Sequence, residues 1–222
     1  MMFIEWFIWG AWFVPLWQYL DNLGYSATQI AWSYSCTSVA AIVSPVLVGV
    51  IADRYFSAQK VLACLHATGA VVLLAITEQT VFSSFFPLLL LYALIYMPTV
   101  AITNSIAFRN LEDTERDFPR VRVLGTIGWI FSGISVGFVP TMLGFSDIST
   151  TNIPFVVTAA ASILLAIYAL FLPDTPPQSS GNKIDLKELL GLNALGMLKD
   201  KAFATFALCS FLFCIPLAFY YQ

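Results

Sequence analysis

Charge is what this 222-residue chain has least of. Its 10 Lys and Arg and 13 Asp and Glu make up 10% of the sequence, whereas a soluble domain carries roughly a quarter charged residues. An ordinary soluble globule is thereby excluded. Histidine occurs once, at His66, and there are four cysteines. Cys36, Cys64, Cys209 and Cys214 all sit inside apolar stretches without a CxxC spacing, so they read as small buried hydrophobes, not metal ligands or a disulfide framework. An enzyme embedded in a membrane would need an HExxH cluster or a Ser/His arrangement. Neither is present, and no metal or cofactor is implied. The net charge of −3 comes without a basic patch interleaved with aromatics, which leaves nothing for nucleic acid to bind. No A-x-A-like cleavage site closes the first apolar run, so a cleavable signal peptide is not expected.

What the chain has instead is apolar surface: 59% hydrophobic and 15% aromatic residues, with a mean hydropathy of +0.82. A hydrocarbon core of ~30 Å takes about 20 residues of helix to cross. Seven stretches meet that length, near 2–20, 28–52, 61–78, 84–108, 119–144, 152–173 and 202–222. The cations fall on one side of that pattern. Arg54 and Lys60 lie between spans two and three. Arg109, Arg116, Arg120 and Arg122 lie at or between the ends of spans four and five, and Lys183, Lys187, Lys199 and Lys201 between spans six and seven. The loops around Asp21, Glu78 and Asp147 carry none. Positive residues stay inside, so the N-terminus and the even-numbered loops are expected in the cytoplasm.

The expected architecture is an all-α membrane protein, with a six-helix bundle over 1–173, a cytoplasmic linker over 174–201 and a further span over 202–222. The linker opens with a Pro-, Ser- and Gly-rich segment that reads as flexible. Ile184, Leu186, Leu190, Leu192, Leu195 and Leu198 then alternate with lysines and acids, as in an amphipathic surface helix. Six spans, a linker and a new span describe the middle of a twelve-span transporter. The first span begins at once, and Tyr220, Tyr221 and Gln222 close the last without a flanking charge, so an incomplete chain is expected.

Candidate residues come from helical spacing. Arg122, Thr126 and Trp129 stand at i, i+4 and i+7, and Gly133 continues the stripe. Val123, Ile127, Ile130, Phe131, Ile134 and Phe138 fill the other side. In a bilayer the apolar side faces lipid, and the polar side must face protein or a water-filled cavity. Arg122 reads as a cavity residue or as a snorkelling anchor. Gly125, Gly128, Gly133 and Gly137 read as points of close helix approach. Tyr96, Thr99 and Thr103 share a face of span four, with Asn104 beside them and Pro98 as an expected kink; they line a cavity or serve as packing glue. Glu5, Trp9 and Trp12 are spaced alike on span one, where Glu5 is expected to be a solvated end-residue. His66, well inside span three, is a functional candidate or a neutral histidine bonded to a neighbouring helix. Asp53 and Arg54 read as a loop-bracing pair.

Several of these blocks, in order, resemble the nucleoside:proton symporter family of the major facilitator superfamily. Gly49-Val50-Ile51-Ala52-Asp53-Arg54-Tyr55-Phe56-Ser57-Ala58 is similar to that family's loop motif between spans two and three. Tyr96-Met97-Pro98-Thr99, Asn104, Phe118-Pro119 with Arg122, Gly125-Thr126-Ile127-Gly128, Leu189-Leu190-Gly191-Leu192-Asn193-Ala194 and Lys199-Asp200-Lys201 also look like its blocks. The resemblance implies two six-span halves, alternating access, a nucleoside-like substrate and protons carried together, with no cofactor. It also implies a plasma (inner) membrane location and a need for the second half. The family's substrate contacts carry over to Arg122, Thr126 and Trp129, and Gly49, Asp53 and Arg54 to its gating loop. On span seven the family places a glutamine and an asparagine where this chain has Ala218 and Tyr221. An amide pair offers several donors and acceptors, tyrosine one hydroxyl and alanine none, so another polar or aromatic solute is a substrate candidate. The alternative reading is a non-transporting membrane protein or a truncated product of a transporter gene.

Overall fold

Apolar runs in hydrocarbon must satisfy their backbone internally, which favours helix. In the computed structural model, residues 1–144, 147–177 and 192–221 are described, with the side chains of 45–54, 192–195 and 217–221 outside that description. Every regular element among the described residues is helical: α1 Met2–Phe13, α2 Leu16–Asn22, α3 Ala27–Arg54, α4 Ala58–Thr77, α5 Phe82–Asn110, α6 Thr114–Gly133, α7 Val139–Met142, α8 Ile153–Ala169 and α9 Lys201–Tyr221. Among them, Ala58–Thr77, Phe82–Asn110 and Thr114–Met142 are long and apolar enough to cross a membrane; Ile153–Ala169 and Lys201–Pro216 are shorter apolar helices.

The expected first span is two helices. Pro15 has no N–H, and its ring crowds the carbonyl four residues back, so α1 stops at Phe13 and α2 restarts behind Pro15. Gly24 ends α2 at φ +76°. Its N–H donates to the Asp21 carbonyl at 2.9 Å and that of Tyr25 to Leu20 at 3.1 Å. This is a Schellman closure, for which glycine is the least strained residue. By contrast α5 runs unbroken through Pro87 and Pro98.

The fifth span does not open at its proline. It begins a turn earlier, where the Asp113 carboxylate accepts the Arg116 N–H at 3.1 Å and Glu115 and Asp117 occupy the first turn. Acids there suit the positive end of the helix dipole, and Pro119 lies inside the helix. A π-helical segment, Ile134–Phe138, joins α6 to α7.

Residues 1–180 form one compact unit and 181–222 another. In the first, α1 packs on α6 and α8, α4 on α5 and α8, and α3 on α5. Trp12, Leu20, Leu73, Phe85, Tyr92 and Phe155 are fully enclosed in its core. The opening of the expected flexible linker is held on this unit. Ala58 donates its N–H to the Thr175 carbonyl and Thr175 donates its own to Gln59 Oε1, each at 3.0 Å. Gln59 Nε2 reaches Asp174, Asn110 Nδ2 reaches Thr175 Oγ1 at 3.2 Å, and Arg109 reaches the Pro176 carbonyl at 3.0 Å. Buried backbone groups need such partners, and they tie Asp174–Pro176 to the ends of α4 and α5.

In the second unit, Leu192–Lys199 is a 3₁₀ helix where the expected amphipathic α-helix was to end. Most of that expected helix lies outside the described residues. Asp200 caps α9, accepting the N–H groups of Ala202 and Phe203 at 2.7 and 3.2 Å.

Candidate functional site

Glycine decides how α1 and α6 meet. A Cβ at Gly128 would run into the backbone carbonyl of Phe3, and one at Gly10 into the Ser132 hydroxyl. At Gly125 it would lie 2.6 Å from Trp6 Cδ1. Small residues let membrane helices approach closely, and here they do so at Gly10, Gly125 and Gly128. Gly133 and Gly137 have nothing within 4 Å of such a Cβ, so the expectation of close approach fails at those two in this structure.

The glycine line therefore faces α1, and the Arg122–Thr126–Trp129 stripe lies roughly a quarter-turn around α6 from it. Arg122 and Trp129 flank the contact, half-buried, while Thr126 is exposed. The Arg122 guanidinium lies over the Trp6 ring, 3.9 Å from its centroid, a cation–π arrangement worth about 0.5–2 kcal/mol depending on desolvation. Trp9 sits beside it, 5.2 Å from Trp6 and 5.7 Å from Trp129 between ring centroids. The buried Trp9 Nε1–H has no hydrogen-bond partner among the described residues. Chemically this face offers a guanidinium with donors in a planar fork, indole surfaces and the Thr126 hydroxyl. Val123, Ile127, Ile130, Phe131, Ile134 and Phe138 are exposed on the remaining side.

Tyr96, Thr99 and His66 converge elsewhere. The expectation for Glu5 was wrong: it is 0% exposed, enclosed with His66 at 2% and Thr99 at 0%. His66 Nε2 is 2.9 Å from Glu5 Oε2, Thr99 Oγ1 donates to Glu5 Oε1 at 2.6 Å, and the Tyr96 hydroxyl donates to the Glu5 carbonyl at 2.7 Å. A carboxylate one turn into an apolar helix looks solvated only while the neighbours are unknown; α4 and α5 cover it. Thr103 is buried too, donating to the Val100 carbonyl at 3.0 Å, and Asn104 is half-buried. Trp9 links the two groups, its ring 6.2 Å from that of Tyr96.

Trp6 was the residue that spacing missed. It belongs to no polar stripe, and the signal available was only Gly125, which promised a close neighbour without naming it. The side chains of Gly49, Asp53, Arg54, Ala218 and Tyr221 lie outside the described residues.

An all-helical chain with helices of this length and apolarity, carrying a cationic and aromatic face, is an integral membrane protein. It belongs to the nucleoside H+ symporter family of the major facilitator superfamily, whose description it matches over residues 1–222. It is similar to the "Putative nucleoside transporter YegT" of Escherichia coli (strain K12), 63% identical over 221 residues that cover 100% of this chain and 52% of that protein. The xanthosine permease of the same organism is 32% identical, over 94% of this chain and 49% of the permease. The fold resembles the crystal structure of the nucleoside transporter NupG with a TM-score of 0.75, at 31% identity, over 96% of this chain and 52% of that one. A mutant form of NupG gives a TM-score of 0.79 at 30% identity, over 92% and 50%. The chain spans about half the length of the curated relatives it matches.

Proposed function

We propose that residues 1–173 form the N-terminal six-helix half of a proton-coupled transporter that takes up nucleosides or a related polar aromatic solute by alternating access. Residues 174–201 are its cytoplasmic linker, and 202–222 the first helix of the second half, which transport requires. The N-terminus faces the cytoplasm and the protein resides in the plasma (inner) membrane, in keeping with the one-sided distribution of Lys and Arg.

The observation that carries this reading is Arg122 seated over Trp6, with Trp9 and Trp129 beside it. A base can stack on an indole, and its carbonyl oxygens or ring nitrogens can accept from a guanidinium held half out of water. Thr126 offers a hydroxyl on the same helix. On the family pattern, Gly49, Asp53 and Arg54 are the gating loop and Tyr221 is a further candidate for substrate contact.

The test is uptake of labelled uridine and adenosine by the full-length protein in cells without their own nucleoside carriers, with and without a proton uncoupler. Uncoupler-sensitive uptake, competed by unlabelled nucleosides, is expected. Absence of uptake by protein shown to be folded in the membrane would overturn the nucleoside assignment and direct the search to other aromatic solutes.

A further inference from the structure

Glu5 is the one acid of α1, and it is enclosed. A buried ion pair contributes little stability compared with an apolar replacement of the same volume, while leaving one charge unpaired is costly. Packing alone thus gives a weak reason for a carboxylate here. The partners around it suit a group that changes its proton content. Thr99 has one hydroxyl proton and two acceptors, Glu5 Oε1 at 2.6 Å and the Tyr96 carbonyl at 2.5 Å. When Glu5 is a carboxylate, Thr99 donates to Oε1. When Glu5 is protonated, Oε1–H donates to the Thr99 oxygen, and Thr99 turns its own proton to the Tyr96 carbonyl. Neither state leaves a Glu5 oxygen or the Thr99 hydroxyl unmatched. His66 Nε2, 2.9 Å from Oε2, completes the set.

We infer that Glu5, with His66 and Thr99, is a proton-binding site inside the N-terminal bundle, and that its charge state is felt at the Arg122 face through α1. This rests on the proton-coupled transport proposed above. With a neutral imidazole donating to the carboxylate the pair carries one negative charge. Uptake of one proton makes it neutral, and release to the other side restores it; no electron moves. The next residue, Trp6, is the ring under Arg122, and Trp9 joins Trp129 to Tyr96, which donates to the Glu5 carbonyl. A shift of α1 on proton uptake therefore moves both indoles.

Among the described residues, the titratable and charged groups facing the pair are few. From α5 they are Tyr92 and Tyr96; the Arg122 guanidinium of α6 lies over Trp6, the residue after Glu5. The buried polar groups of α8, Thr158 and Ser162, are hydroxyls.

The test uses the full-length protein in proteoliposomes with labelled uridine and adenosine, together with pH-difference infrared spectroscopy of the same protein. In Glu5→Gln, accumulation driven by a proton gradient should fall by about tenfold or more and lose its pH profile. Exchange of labelled for unlabelled nucleoside, which needs no net proton movement, should persist, and a protonated-carboxyl band of the wild type should disappear. Wild-type accumulation by Glu5→Gln, or an unchanged carboxyl band, would overturn the inference. If the wild type moves neither nucleoside, the transport reading fails by itself, and the presence or loss of the band still decides the proton site. If Glu5→Gln does not fold, Thr99→Val retains the carboxyl but removes its hydroxyl partner. The band must then shift, and an unshifted band overturns the inference.

Discussion

Gly128→Ala offers a sharp perturbation, because what a new methyl would meet is backbone and not a movable side chain. The Cβ would overlap the Phe3 carbonyl of α1, and relieving it means parting two helices by roughly 1 Å in an interior packed about as densely as an organic crystal. Overpacking of this kind costs about 1–3 kcal/mol. A chain of about 200 residues loses roughly 2–4 °C of melting temperature per kcal/mol and one about twice as long roughly half that, so a fall of about one to several degrees is expected. Gly133→Ala is the matched control, since its Cβ would have nothing within 4 Å; replacing a helical glycine there should be neutral or stabilising, by at most about 1 kcal/mol. The assay is thermal unfolding of the purified full-length protein in detergent, followed by nucleoside binding. Parting α1 from α6 also separates Trp6 and Trp9 from Arg122 and Trp129, so Gly128→Ala should weaken binding while Gly133→Ala should not. Equal melting temperatures for the two variants would refute the close approach of α1 and α6 at this point.

Arg122→Ala should weaken nucleoside binding by about 10- to 100-fold, the loss expected for a charge-assisted hydrogen bond of about 1.5–3 kcal/mol, and Arg122→Lys should recover only part because an ammonium does not reproduce the planar stack on Trp6. Arg120→Ala, whose guanidinium pairs with Asp117 at 3.2 Å on the surface, should leave binding in place. Equal small effects in titration calorimetry would reduce Arg122 to an interfacial anchor. Gln59→Leu should destabilise the bundle by about 1–3 kcal/mol, the cost of leaving a buried group such as the Thr175 N–H unpaired. It should also raise protease cleavage near Asp174; unchanged melting and cleavage would remove the linker attachment.

What could be read from residues alone was whatever depends on local composition and period. The charge deficit and the apolar runs determined that the chain is a helical membrane protein, because backbone in hydrocarbon has few other solutions. Spacing on one helix put Arg122, Thr126 and Trp129 on one stripe, since three and four residues make a turn. Gly125 and Gly128 announced a close neighbour, and the ordered blocks announced the family.

Which helix supplies that neighbour is a non-local matter, and only tertiary structure decided it. Glycines say that something approaches, not that it is Phe3 or that Trp6 will lie beneath Arg122. The same gap misled the reading of Glu5: one turn from the start of an apolar helix it resembles a solvated terminus until α4 and α5 enclose it with His66, Thr99 and Tyr96. Likewise a Pro-rich opening reads as flexible because its own side chains offer no structure, while the bonds that hold Thr175 come from Gln59 and Ala58, more than a hundred residues away. Composition sets where a segment can reside; the partners that complete its hydrogen bonds and fill its contacts come from distant parts of the chain, and those set what each residue does.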